Sequence, residues 1–387
     1  MNRILSSAAA VALLLLGAAT TQEVAAQGCV AIRHFSSCTG GTKSTLSPGE
    51  FLFGVNYRYF ESFRHFKGTV EQEERVELNT EVVNWSHALD LNATYGVTNQ
   101  LYATVTLPLV YNIRSSLYEH GRASRHETSS MGLADMRVGA GYWLLDPESY
   151  HNGNVAVGLG LKIPTGNAGA TDFFHNVGAD GSDVDTLPDG EIRPVDQSIQ
   201  PGDGGWGVAL DFQAFHTIVG TLGAYAGGFY LINPRDTNET FTSRGRVNEH
   251  YMSVPDQFSV RAGLTLGLPV TGLGAALGAR YEGVPVEDLI GESNGFRRPG
   301  MVLSLEPGLS YGNGPFAANL SVPVALYRNR TRSITDIANG TNQSGEPIHG
   351  DAAFSDYLIN VGVTYRIGGA SSDVDGDVES LPMHTEM

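Results

Sequence analysis

The sequence predicts an all-β chain, a transmembrane antiparallel up-and-down β-barrel of about twelve strands with short periplasmic turns and long extracellular loops. Three observations carry this reading. Period-two alternation of apolar with small or polar residues recurs from Phe51 to Ile367, as in Ser259 to Pro269. Short turns and long polar links alternate between those runs, and an export signal precedes them.

The signal has one cation, Arg3, an apolar run from Ala8 to Gly17, and Val24-Ala25-Ala26, whose small residues suit signal peptidase before Gln27. The expected division is a signal peptide over 1–26, a periplasmic N-terminal segment over 27–50, a barrel over 51–367 and an acidic tail over 368–387. Lipidation at Cys29 is the alternative, but Ala26-Gln27-Gly28-Cys29 lacks the early apolar residue of a lipobox. Cys29 and Cys38, the only two cysteines, lie in exported sequence and are expected to close a small disulfide loop.

After the signal, no apolar run approaches the roughly 20 residues of a membrane helix. The formal charge of −17 excludes nucleic acid as a partner, because a phosphate backbone needs a basic face. Much of that acidity falls between the alternating runs.

Those runs fall at 51–60, 82–95, 101–114, 133–145, 154–164, 206–217, 222–232, 257–268, 273–284, 299–311, 316–327 and 356–367. Short links such as 96–99 and 312–314 follow the even-numbered strands, and long polar segments such as 165–205 and 328–355 follow the odd-numbered ones. Both ends of the barrel are therefore expected in the periplasm, with the long loops outside.

Alternation also assigns faces. Val155, Val157, Leu159, Leu161 and Ile163 are expected to meet lipid, as are Val260, Leu264, Leu266, Val361, Val363 and Tyr365. The opposite phase collects charges of both signs: Asp90, Asp135, Arg137, Lys162, Asp211, Arg261, Arg280, Glu282, Glu306 and Arg366. An Arg or Lys on the lipid face near midplane costs about 2–4 kcal/mol, so this phase is the one a barrel requires. Such charges either set the selectivity of a polar lumen or pair across a narrow one and fill it. Aromatics near strand ends, among them Tyr57, Phe60, Tyr95, Tyr102, Tyr111, Trp143, Tyr311 and Tyr327, suit interfacial girdles. Pro108, Pro164, Pro269 and Pro323 read as strand ends, where a missing amide hydrogen is tolerated.

Three segments occur in a familiar order: Gly132-Leu133-Ala134-Asp135-Met136-Arg137-Val138-Gly139, then Gly160-Leu161-Lys162-Ile163-Pro164-Thr165-Gly166, then Pro201-Gly202-Asp203-Gly204-Gly205-Trp206-Gly207. Together they resemble the transporter-like outer-membrane β-barrel family named for the meta-pathway of phenol degradation. Ala134 stands where that family has Gly, and the insertion between the second and third segments is long and acidic. The resemblance implies a porin-like barrel of a Gram-negative outer membrane that moves small, often aromatic, molecules. Membrane lipid, a small-molecule solute and the barrel-assembly machinery are then the expected partners. The aromatic last residue read by that machinery is absent, because Tyr365-Arg366-Ile367 is followed by the tail; an insertion signal would be internal.

Asp180, Asp183, Asp185 and Asp189 cluster after the fifth strand and are candidates for calcium, although the full twelve-position loop ending in Glu is missing. No other cofactor is expected. No Ser sits in a nucleophile elbow, and His87, His175, His216 and His250 are scattered, so the chain is expected not to be an enzyme. The function expected is a passive channel or transporter for a small solute, aromatic or hydrophobic ones included. A closed structural or adhesive barrel whose loops bind a partner is the alternative, and an outer-membrane hydrolase the third.

Overall fold

The computed structural model describes residues 45–178, 189–242 and 244–368. The strands in chain order are β1 (Phe51–Lys67), β2 (Val70–Glu71), β3 (Val83–Gly96), β4 (Leu101–Ser116), β5 (His126–Leu133), β6 (Met136–Trp143), β7 (Gly153–Ile163), β8 (Thr171–His175), β9 (Gly190–Pro194) and β10 (Gly207–Val219). They continue as β11 (Leu222–Ile232), β12 (Thr237–Phe241), β13 (Tyr251–Ser253), β14 (Gln257–Gly267), β15 (Leu273–Val284), β16 (Gly300–Asn313), β17 (Phe316–Ser321), β18 (Val324–Asn329) and β19 (Ala352–Ile367). Twelve staves close into one antiparallel barrel, β5 with β6 making one stave and β17 with β18 another. β1 pairs β19 from Phe51↔Ile367 to Phe66↔Ala352, which closes the barrel; each of the twelve staves pairs on both sides, although the β5 part of its stave pairs β4 alone.

Side-chain alternation builds the wall. On β7, Val155, Val157, Leu159 and Leu161 point outward and are exposed, while Asn154, Ala156 and Lys162 are buried inside. β19 repeats this with Tyr357, Val361, Val363, Tyr365 and Ile367 outward and Thr364 inward. Tyr95, Tyr142, Tyr311 and Tyr327 are exposed near strand ends, as girdle residues require, whereas Tyr57 and Tyr111 are exposed within the longer β1 and β4. Phe60 and Trp143 are buried instead, and the Tyr102 hydroxyl accepts a 2.8 Å hydrogen bond from Gln213, an inward residue of β10.

Two staves expected to be continuous are broken, at Ala134–Asp135 and at Val322–Pro323. Both breaks oppose a proline lying inside its neighbour, Pro108 of β4 and Pro307 of β16, which corrects the reading of Pro108 as a strand end. Each proline carbonyl is still used, by Ala134 N–H at 2.8 Å and Val322 N–H at 3.0 Å. Neither proline has an amide to give back, so the ladder lapses there.

The wall is uneven. β1, β4 and β19 have 17, 16 and 16 residues, whereas β7, β11 and β14 have 11 each. The first stave runs past its expected end at 60 because Ser62 to Phe66 pair with Ala352 to Ser355. Its charge there is matched: Arg64 pairs with Glu71 and, at 2.8 Å, with Asp356. The loops leaving the low side pack on one another, with Val195, Ile199, Met252, Val254 and Phe296 buried as their apolar centre.

At the periplasmic end, Gly49 N–H donates to Gly96 O and Gly96 N–H to Glu50 O, each at 2.9 Å. The short turns there use glycine where the chain reverses; a Cβ on Gly272, at φ +78°, would lie 2.1 Å from Gly312 O.

Candidate functional site

Three stretches distant in sequence meet where β7 leaves the wall. Asp135 sits in the break between β5 and β6, not on the continuous strand expected, since Pro108 opposite offers no amide to hold a ladder. Its carboxylate accepts from Gly166 N–H and from Asp203 N–H, both at 3.0 Å. Thr165 spans the break: its hydroxyl donates to Ala134 O at 2.8 Å and accepts from Met136 N–H at 2.9 Å. The Lys162 ammonium pairs with the Asp203 carboxylate. The glycines are needed for the approach, because a Cβ on Gly166 would lie 2.7 Å from Gly202 Cα and one on Gly202 2.6 Å from Asp135 Oδ1. The three motifs noted in the sequence thus form one junction.

The junction aims the loop between β7 and β10 into the barrel. Asp196 caps a single turn at Gln197–Ile199, accepting from Ser198 N–H at 3.0 Å. Ile199 is buried, and its carbonyl accepts from Asn112 Nδ2 at 3.3 Å and from the Ser130 hydroxyl, on β4 and β5. Asp196 then gathers three arginines from separate elements. Arg298 donates to both carboxylate oxygens at 2.7 and 2.6 Å, and Arg114 and Arg244 approach to 3.6 and 3.5 Å. Burial alone would raise the Asp196 carboxyl, but Arg114, Arg298 and Arg244 outweigh it and hold it well below the usual carboxylate range. Arg298 and Arg244 also lie over the Phe296 ring, 4.7 and 3.7 Å from its centroid.

Beneath this turn is a polar cavity of about 120 Å³ whose lining includes Arg58, Asp135, Arg137, Lys162, Gln197 and Asp203. Arg137 and Lys162 are direct neighbours across β6 and β7, both buried. Farther round the wall, Arg280 donates to Glu306 at 2.5 Å and lies 3.7 Å from Glu282, and Arg261 reaches Glu306 at 3.9 Å. Arg366 binds Glu50 and the Thr45 carbonyl, each at 3.0 Å. Among the described residues no ion pair reaches Asp90 or Asp211; a Cβ on Gly158 would lie 2.3 Å from the Asp211 carboxylate, so that glycine makes its room. Lys162, Arg261, Arg280 and Arg366 therefore pair with carboxylates by contact, whereas Asp90 and Asp211 have no such partner among the described residues.

The densest charge clusters lie elsewhere, in loops that alternation does not read. Arg297 and Asp288 form a 2.5 Å pair with almost no exposure, and Asp336 holds Arg330 at 3.3 Å and Arg246 at 3.4 Å. The available signal was the concentration of arginine in loops, as in Arg297-Arg298 and at 328, 330 and 332. His120, His126 and His175 also gather there, the last two stacked with centroids 4.0 Å apart. His87 lies on the lipid side, its ring nitrogen 2.8 Å from the Tyr57 hydroxyl. No metal-binding group of three ligands occurs among the described residues. Asp189 lies just before β9; Asp180, Asp183 and Asp185, the signal, and Cys29 and Cys38 lie outside the described residues, as does nearly all of the tail.

A closed, antiparallel, twelve-stave wall with an outward apolar band and aromatic girdles is the fold of Gram-negative outer-membrane proteins. No family profile and no curated protein sequence matches the chain. Solved structures do. An outer-membrane channel from Pseudomonas putida F1 superposes with a TM-score of 0.55 at 12% identity, covering 85% of this chain and 99% of its own. A FadL homologue of Pseudomonas aeruginosa gives 0.40 at 8% identity over 82% and 90%, and the toluene transporter TodX of Pseudomonas putida 0.39 at 10% over 88% and 96%. The first of these likenesses is one of fold.

Proposed function

We propose that this barrel is a passive channel for a small solute, closed from outside by its own loops. The observation that supports it most is the polar cavity inside the wall, capped by the single inserted turn that begins at Asp196. A pathway needs a solvent-sized polar space of this kind inside the wall. Kinship with the phenol meta-pathway barrels belongs to the same proposal. It rests on Asp135, Lys162, Gly166, Gly202 and Asp203, which the motifs supply and which build the junction. The charges Arg137, Lys162, Asp211, Arg261, Arg280, Glu306 and Arg366 would line the path.

A second reading is favoured by a specific observation: the Arg280, Glu306, Glu282 and Arg261 contacts are those of charges filling an interior. A closed structural barrel follows if they fill it. Liposome swelling with the purified full-length protein separates the two. The channel reading expects entry of small sugars or aromatic solutes, faster once the turn at 196–200 is removed. No entry in either protein leaves the closed barrel.

A further inference from the structure

We infer that the lumen wall holds a small alkali cation at an oxygen site built by Asn56, Asp90 and Asn319 around Gly362. This goes beyond the channel reading and stands whether or not solute passes. The four residues lie side by side on the inward faces of four neighbouring strands. Asp90 of β3 is opposite Asn56 of β1, and Asn56 and Asn319 of β17 flank Gly362 of β19 from its two sides. Side chains directly opposite on one face have Cβ atoms about 4.5–5.5 Å apart, so the carboxylate and the two amides share one patch of wall.

Gly362 lets them meet. It lies inside a strand of 16 residues, where glycine weakens the ladder and marks a close approach. A Cβ there would overlap the Asn319 Oδ1 and lie 2.5 Å from the Asn56 Oδ1, so two amide oxygens converge where a side chain would otherwise stand. The Oδ1 atoms of Asn319 and Asp90 are both buried, and no donor among the described residues reaches either. No ion pair reaches Asp90 from Arg58, two residues along β1 on the same face, or from any other described residue. Convergent buried oxygens with no donor between them are unfavourable unless a cation lies among them. Glu306 takes its counter-charge from the Arg280 side chain. Beside Asp90 the wall supplies amide oxygens instead.

The ligand set selects the class of ion. Its donors are all oxygen, which hard cations take, and its single negative charge is what one alkali cation neutralises. Calcium sites gain affinity from several carboxylates and transition metals from His and Cys, and among the described residues no three such side chains are grouped to hold a metal. Carbonyl oxygens that replace hydration water are the means by which ion filters hold alkali cations.

The test is sodium NMR line broadening by the full-length protein in a non-ionic detergent, with potassium as competitor. Wild type is compared with variants, so that broadening by the acidic loops, common to all, cancels. The wild type should broaden the sodium signal saturably and in excess of Asp90→Asn and of Asn319→Leu, and potassium should remove the excess. Asn319→Asp, which adds a second carboxylate, should let calcium displace sodium at about a tenth of the concentration the wild type needs. Equal broadening by the wild type, Asp90→Asn and Asn319→Leu, each checked for heat-modifiable folded barrel, overturns the inference; the two asparagines then bond to each other across Gly362 with one amide turned round. Loss of the excess in Asp90→Asn alone also overturns it, since a lone carboxylate then attracts the ion without the amides.

Discussion

The wall and the lid of this protein are built by different rules. In the wall, the backbone ladder joins neighbouring staves residue by residue, as Phe51 to Phe60 does with its partners on β3 and β19. In the lid, the decisive contacts join remote segments: Arg298 and Asp196 are 102 residues apart, Arg246 and Asp336 are 90 apart. The wall is held by a repeated pattern that tolerates variation at any one position within its phase. The lid depends on a few buried charge clusters, and removing the carboxylate at the centre of one leaves buried charge behind.

This difference decides how to break it. The largest effect is expected from Asp288→Ala, which takes the counter-charge from the fully buried Arg297, leaving it only the Ser253 hydroxyl and the Val286 carbonyl, and costs about 3–5 kcal/mol in the loops. Limited proteolysis should then cut the loop between β15 and β16 while heat-modifiability of the barrel is retained; joint loss of both would mean that wall and lid fold as one unit. Leu159→Arg, on the lipid face, is expected to cost about 2–4 kcal/mol and to reduce assembled barrel. The same change at Ile192, an exposed loop residue, should stay within about 0.5 kcal/mol. Equal effects at the two sites would remove the distinction.

Acid should loosen one part of the lid and spare another. Burial, with His126 and His175 beside it, lowers His120 to about 4 in spite of Glu119. Between about 6.5 and about 4 the unfolded segment binds a proton that the folded one refuses, so the stability His120 provides is complete above that window and falls as pH falls. At pH 5 the loss is about 1–2 kcal/mol, read as lower amide protection factors around 117–126 and 171–176. Asp196, held well below the ordinary carboxylate range, keeps its contribution above the ordinary carboxyl pKa of about 4, and amide protection factors around 196–200 should not change between pH 7 and pH 5. A modest effect is expected from Tyr57→Phe, which removes the hydrogen bond to His87 and should cost about 0.5–1.5 kcal/mol in urea titrations.

The same contrast sets what the amino-acid sequence discloses. β11 and β15 run from Leu222 to Ile232 and from Leu273 to Val284, as alternation and flanking glycines indicate, because a strand's boundaries and faces are local properties. The break at Ala134–Asp135 was hidden, since it opposes Pro108 on the neighbouring stave and owes nothing to its own residues, whereas the one at Val322–Pro323 was signalled in part by Pro323 itself. Asp135 was legible as an inward charge but not as the acceptor for two loop amides. The three arginines on Asp196 were illegible: nothing local to Arg114, Arg244 or Arg298 names a shared partner, which only the folding of three loops supplies.

Single-channel recording of the wild type against Asp196→Asn tests the central claim, that the inserted turn closes a pathway through the wall. The account predicts small or brief openings in the wild type and large, sustained ones in the variant, with both proteins equally well assembled. Conductance that is unchanged by the substitution, or absent from both, would contradict it.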